Sequence, residues 1–157
     1  MAELTEGSVR IAAPPAAVMS VIADVAAYPE WAEGVRGVEV LSADAAGRPQ
    51  RAAFRVGMAG IEAAYTLVYA YRPGDAGVSW TTEAASGAVE DVRGEYRLAA
   101  EGPETVVTYA LQVEPAIALP GYLKRHVERS IVKTALAGLR ARVEAPIGDS
   151  DDRERRR

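Results

Sequence analysis

The sequence has no cysteine, one histidine, one phenylalanine and two tryptophans. Without cysteine, disulfides, thiolate nucleophiles and cysteine-based zinc sites are excluded. The single His126 cannot build a multi-histidine metal centre, and no cofactor or metal is expected. Lysine occurs only at Lys124 and Lys133, so arginine carries most of the positive charge. With abundant alanine, this is the composition expected of a GC-rich bacterial genome. No apolar run approaches the ~20 residues of a membrane span. Residues 1–8 show neither the basic nor the apolar region of a secretory leader, so the expected address is the cytoplasm. The formal net charge is -4. The basic residues are scattered, apart from Arg153, Arg155, Arg156 and Arg157. Counterion release would contribute little to such a chain, and nucleic acid is not an expected partner. The oligomeric state is not legible.

What is present is an ordinary globular composition, 49% hydrophobic in 157 residues. That length suits one domain with a sizeable core. The expected domain is 1–146, followed by a charged tail at 147–157 that is expected to be disordered. Val9 and Ile11 alternate with polar residues and predict a first strand over Gly7 to Ala12. Pro14-Pro15 opens a helix, in which Val18, Val21, Ile22 and Val25 recur at helical spacing. That helix is expected to stop before Tyr28-Pro29. From Val35 the period changes to two. Six short segments follow, centred near Val38, Val56, Tyr69, Trp80, Tyr96 and Tyr109, with turn signals between them. They predict an antiparallel meander. Pro120-Gly121 then precedes one long helix, about Tyr122 to Glu144. Its apolar stripe shifts midway, from Leu123, Val127, Ile131 and Thr134 to Val132, Leu136, Leu139 and Val143. The first stripe is expected to face a cavity and the second to pack on solid core.

Several segments carry a resemblance. They are Asp24-Val25-Ala26-Ala27-Tyr28-Pro29-Glu30-Trp31, Val38-Glu39-Val40-Leu41, the mid-sheet Trp80, and Leu119-Pro120-Gly121. With this order of elements, the chain resembles the START-like (Bet v 1-like) superfamily. Within it, the chain looks like the polyketide cyclase/dehydrase and coenzyme Q-binding START group, the SRPBCC family. The resemblance implies an α+β helix-grip fold, with a curved antiparallel sheet around the C-terminal helix and an internal cavity. It also implies an apolar small-molecule ligand such as an isoprenoid quinone, a lipid or a polyketide.

The inward parity of the sheet collects Phe54, Tyr65, Leu67, Tyr69, Trp80, Tyr96 and Tyr109 on one face. This is either an aromatic core or a pocket wall. Buried tyrosine hydroxyls need partners, and Ser130, Thr134 and Gly138 on the facing helix fill space poorly; both features favour a pocket. Val127, Ile131 and Thr134 would line its helical side. Trp31 either caps the sheet or forms a lid.

No catalytic residue is expected. Glu90 and Asp91 are adjacent on a strand and point to opposite faces, so they are not a carboxylate pair. His126 has no visible triad partner. The leading expectation is therefore a binding or carrier module. The alternative is an aromatase/cyclase acting on a poly-β-ketone chain. In that branch, the resemblance puts an inward Ser and Arg on the strand where this chain has Leu67 and Tyr69. A third reading, a protein-binding module, would need a basic or apolar exposed patch, and the sequence displays none.

Overall fold

The computed structural model describes residues 4–58 and 60–145. The expected tail at 147–157 and the helix stop at Pro146 lie outside them. Among the described residues, seven strands form one antiparallel sheet. They are β1 (Thr5–Ile11), β2 (Val35–Ala43), β3 (Pro49–Met58), β4 (Ile61–Arg72), β5 (Gly77–Gly87), β6 (Val89–Glu101) and β7 (Glu104–Pro115). The spatial order is β1-β7-β6-β5-β4-β3-β2. The meander β2 to β7 pairs each strand with the next, and β1 closes on β7 with Thr5 opposite Leu111. β1 and β2 are left as the two edges.

Helix α1 (Pro15–Ala23) begins with Pro14 extended and Pro15 in the first turn, where a missing N–H costs nothing. Val18, Met19 and Ile22 form its buried stripe. It ends earlier than its apolar spacing suggests. Asp24 leaves helical geometry, and Tyr28-Pro29 falls inside a separate 3-10 segment, Val25–Glu30. The long helix α2 (Gly121–Glu144) matches its predicted span. It lies across β1 and β7 and against α1. Gly7 on β1 makes the close approach possible, since a Cβ there would meet Val132 Cγ1 at 2.7 Å. Val132, Leu136 and Leu139 are buried, as the second stripe predicts.

Several irregularities shape the sheet, and two lie along β5. Between β4 and β5 a bulge falls between Thr66 and Leu67, opposite Glu83, and bulges bend sheets. β5 pairs with β6 over Gly77–Trp80. Past that stretch the Thr82 side chain takes over the bridging. Its hydroxyl donates to the Val92 carbonyl (2.6 Å) and accepts from the Val92 N–H (2.8 Å). The outer face is lined with ion pairs, including Arg51–Glu83, Arg72–Glu95 and Arg97–Glu6. Most of these side chains are well solvated, with Glu95 the most covered, and such pairs contribute little to stability. They agree with the alternation read at Arg93, Glu95 and Arg97.

Candidate ligand site

The period-two expectation for the sheet face is met in the register. Phe54 stands opposite Tyr65, Tyr69 opposite Trp80, and Tyr96 opposite Tyr109. Phe54, Leu67, Tyr69, Trp80, Tyr96 and Tyr109 are buried, and Tyr65 is half-buried. Their rings touch in two groups. Tyr69, Trp80, Tyr96 and Tyr109 pack with centroids 4.6–6.1 Å apart. Phe54 stacks on Tyr65 at 5.5 Å and meets Tyr28, which stands edge-on to Trp31 at 5.0 Å. Gly94 makes room for the first group. A Cβ there would lie 2.9 Å from the Trp80 ring.

The helical side is only partly assembled against these rings. Ile131 and Thr134 are half-buried, while Val127 is 40% exposed and Leu123 is similar. His126 is exposed on α2. Trp31 is half-buried and lies beneath α2, where a Cβ on Gly138 would meet its ring at 3.4 Å. Gly138 thus serves as the small contact under the helix that Trp31 requires. The Trp31 indole N–H is enclosed without a hydrogen-bond partner.

The hydroxyls divide the tyrosines. Tyr28 donates to the Ile22 carbonyl (2.5 Å) and Tyr71 to the Pro49 carbonyl (2.6 Å). Among the described residues, Tyr65, Tyr69, Tyr96 and Tyr109 have no such protein acceptor. Burial raises Tyr69, Tyr96 and Tyr109 well above the usual phenol value, and Tyr65 to about 12. They are neutral phenols at physiological pH. They can donate and accept hydrogen bonds, but a phenol of this kind is a poor proton acceptor in its neutral form.

The sequence model of the family described as "Polyketide cyclase / dehydrase and lipid transport" matches residues 11–140. The chain belongs to this family. No curated protein matches it by sequence. Solved structures share the fold at low identity. A START superfamily protein from Mycobacterium smegmatis superposes with a TM-score of 0.83 at 20% identity, covering 91% of this chain and 98% of its own. The Zhui aromatase/cyclase from a Streptomyces species gives 0.64 at 20% identity, covering 90% and 96%. A STAR-related lipid transfer protein from Xanthomonas axonopodis gives 0.65 at 18% identity, covering 88% and 84%. The fold is the START/Bet v 1 helix grip, with a seven-stranded curved sheet and a long C-terminal helix. No helix among the described residues is long and apolar enough to cross a membrane.

In this polyketide cyclase/dehydrase family member, one buried charge escaped the sequence reading. Glu128 on α2 is 2% exposed. Its carboxylate accepts from Thr5 Oγ1 (2.8 Å) and from the Val113 N–H (2.8 Å), with Lys124 Nζ 3.9 Å away. Val113 lies two residues past Leu111, the partner of β1's first residue, so Glu128 serves the strand where the described β1 has ended. It fixes the first half of α2 beside the site. The available signal was weak: one acid among Lys124, Arg125 and Arg129 on a helix usually reads as a solvated charge.

Proposed function

We propose that this domain binds an apolar small molecule, such as an isoprenoid quinone, lipid or polyketide-like compound, between the sheet aromatics and α2. The observation that carries this reading is the set of four tyrosine hydroxyls, Tyr65, Tyr69, Tyr96 and Tyr109. They lie on one largely buried face without protein acceptors. None of the four oxygens is fully enclosed, unlike the Trp31 indole nitrogen, so each opens on space where water or a ligand can meet it. The family description and the lipid transfer neighbour support the same class of ligand. The rings pack side by side on the sheet face, so a ligand would lie across them, between sheet and helix. Phe54, Leu67 and Trp80 would offer apolar contact, and Ile131, Thr134 and Val127 would close the helical side. Trp31 would sit at the border.

The aromatase/cyclase reading is kept as the alternative, since an aromatase/cyclase is among the structural neighbours. Neutral phenols could donate to ketone oxygens and so stabilise an enolate. They are poorly suited to take the proton, which favours binding over catalysis.

The test is tryptophan emission in the Trp31→Phe variant, which isolates Trp80. Titration with quinones, fatty acids and poly-β-ketone mimics is expected to shift or quench Trp80 emission saturably for one class. Native mass spectrometry should then show that class as a one-to-one adduct. Unchanged emission across the panel, with no adduct, would refute the reading.

A further inference from the structure

The charge of this chain is unevenly placed. The whole chain nets -4, yet α2 carries six of its 18 Lys and Arg residues and two of its 22 Asp and Glu. Of those two acids, Glu128 is buried under the helix and Glu144 pairs with Arg140. Arg125, Arg129 and Lys133 are spaced by four, so they form one stripe on the exposed side of α2. Among the described residues none of the three makes an ion pair. Like charges at this spacing destabilise a helix by a few tenths of a kcal/mol per pair. Glu114 pairs with Lys124, and Glu6 with Arg97.

Apolar side chains stand exposed at the start of the same helix. Tyr122 is 77% exposed, and Leu123 and Val127 are exposed beside it. Ile117 precedes them in the β7–α2 loop, and Ile61 lies at the same end of the sheet. Those ends are tied together because the Ala88 N–H donates to the Glu62 carbonyl and the Ala88 carbonyl accepts from Ala116. The sequence alone displayed no such patch. Its members come from three segments, and the basic stripe emerges only once the buried face of α2 is known.

We propose that this end of the domain docks on an anionic lipid surface, with Tyr122 and Ile117 in the headgroup region and Arg125, Arg129 and Lys133 on lipid phosphates. At 100° per residue Tyr122 projects within the Arg125–Arg129–Lys133 stripe, whereas Leu123 and Val127 lie on the other flank of α2, and a face that joins an exposed aromatic ring to unpaired basic residues is the chemistry of an interfacial segment. The charge distribution supports a membrane in particular. The acidic remainder of the domain is repelled by an anionic surface, so it turns α2 toward the bilayer. At ordinary salt the screening length is about 10 Å, and the near face decides the outcome.

The inference concerns the surface and does not depend on what the interior holds. It is tested by flotation of the full chain with phosphatidylcholine vesicles, with and without phosphatidylglycerol at about one lipid in three. Binding is expected with the anionic vesicles alone and is lost at high salt. Arg125→Glu with Arg129→Glu should reduce partitioning at least ~25-fold, since each basic residue near such a surface contributes about fivefold. Tyr122→Ala with Ile117→Ala should weaken it with little change in salt dependence. Arg51→Glu with Arg72→Glu makes the same change in net charge on the outer sheet face and should leave binding intact. Circular dichroism checks that each variant is folded. The proposal is overturned if the wild-type chain ignores anionic vesicles at low salt. It is equally overturned if the outer-face pair loses as much binding as the α2 pair, or if the chain binds an acidic soluble protein and no vesicle.

Discussion

Replacing Glu128 with alanine removes the acceptor for two donors at once, the Val113 N–H and the Thr5 hydroxyl, each at 2.8 Å. The hydroxyl can rotate to another partner. The amide on β7 cannot, and it is left beneath α2. Hydrogen bonds to a charged group contribute about 1.5–3 kcal/mol, and an orphaned buried donor costs about 1–3 kcal/mol. The expected loss is therefore about 2–4 kcal/mol. The Lys124 contact at 3.9 Å adds little by comparison. For a domain of this size, 1 kcal/mol shifts the melting temperature by roughly 2–4 °C. Glu128→Ala should thus melt roughly 4–16 °C below the parent. Glu128→Gln is the informative partner. Its amide oxygen can accept from Val113 and its NH₂ can donate to Thr5 Oγ1, so the cost should stay near 1 kcal/mol. Urea denaturation, read by far-UV circular dichroism and by tryptophan emission, measures both variants. If alanine proved no more costly than glutamine, the acceptor role assigned to Glu128 would be wrong.

Further expectations concern the aromatic face. Trp80→Ala should cost about 3–5 kcal/mol in urea denaturation, because the ring is packed on Tyr69, Tyr96 and Tyr109. A loss under 1 kcal/mol would mean that the ring borders empty space. Gly94→Ala should be destabilising by about 1–3 kcal/mol, since its Cβ would crowd the Trp80 ring at 2.9 Å and the Ala110 carbonyl. A shifted Trp80 emission maximum would report the displaced ring. The pH dependence follows from the raised phenols. Between the unfolded value near 10 and the higher folded values, the native state holds more protons than the unfolded chain. This contribution is fully present below pH 10 and is lost as pH rises through the folded values. Denaturation midpoints should therefore fall above pH 10, together with tyrosine ionisation followed by ultraviolet absorbance. A midpoint that stayed flat to pH 12 would contradict the burial of these hydroxyls.

The sheet was legible because alternation is a strong signal: a residue such as Tyr96 between Glu95 and Arg97 leaves little choice of face. The same alternation gathers the aromatics. The helices were less complete. α2 was read to within a residue at its start, yet its rotation depends on Gly7 meeting Val132, a contact 125 positions apart in the chain. So the exposure of Val127 and the burial of Glu128 were not visible. The Tyr28-Pro29 segment misled for a local reason. Proline marked a helix boundary, but the backbone had already turned at Asp24. Trp80 was read as mid-sheet, but the glycine beneath its ring was not singled out, since Gly94 looked like one more residue in an alternating strand.

The short pairing between β5 and β6 has a consequence for how the domain opens. In the sheet order β2 to β5 lie on one side of this boundary and β6, β7 and β1 on the other, with α2 packed on β1 and β7. Across the seam between them run the Gly77–Trp80 ladder and the Thr82–Val92 clasp. Partial opening follows the boundary with the fewest cooperative bonds. Amide exchange should therefore divide the protein along that line, with Thr82 as its latch. The Tyr69–Trp80–Tyr96–Tyr109 ring cluster straddles the same line, so the two halves meet across the rings proposed to face a ligand.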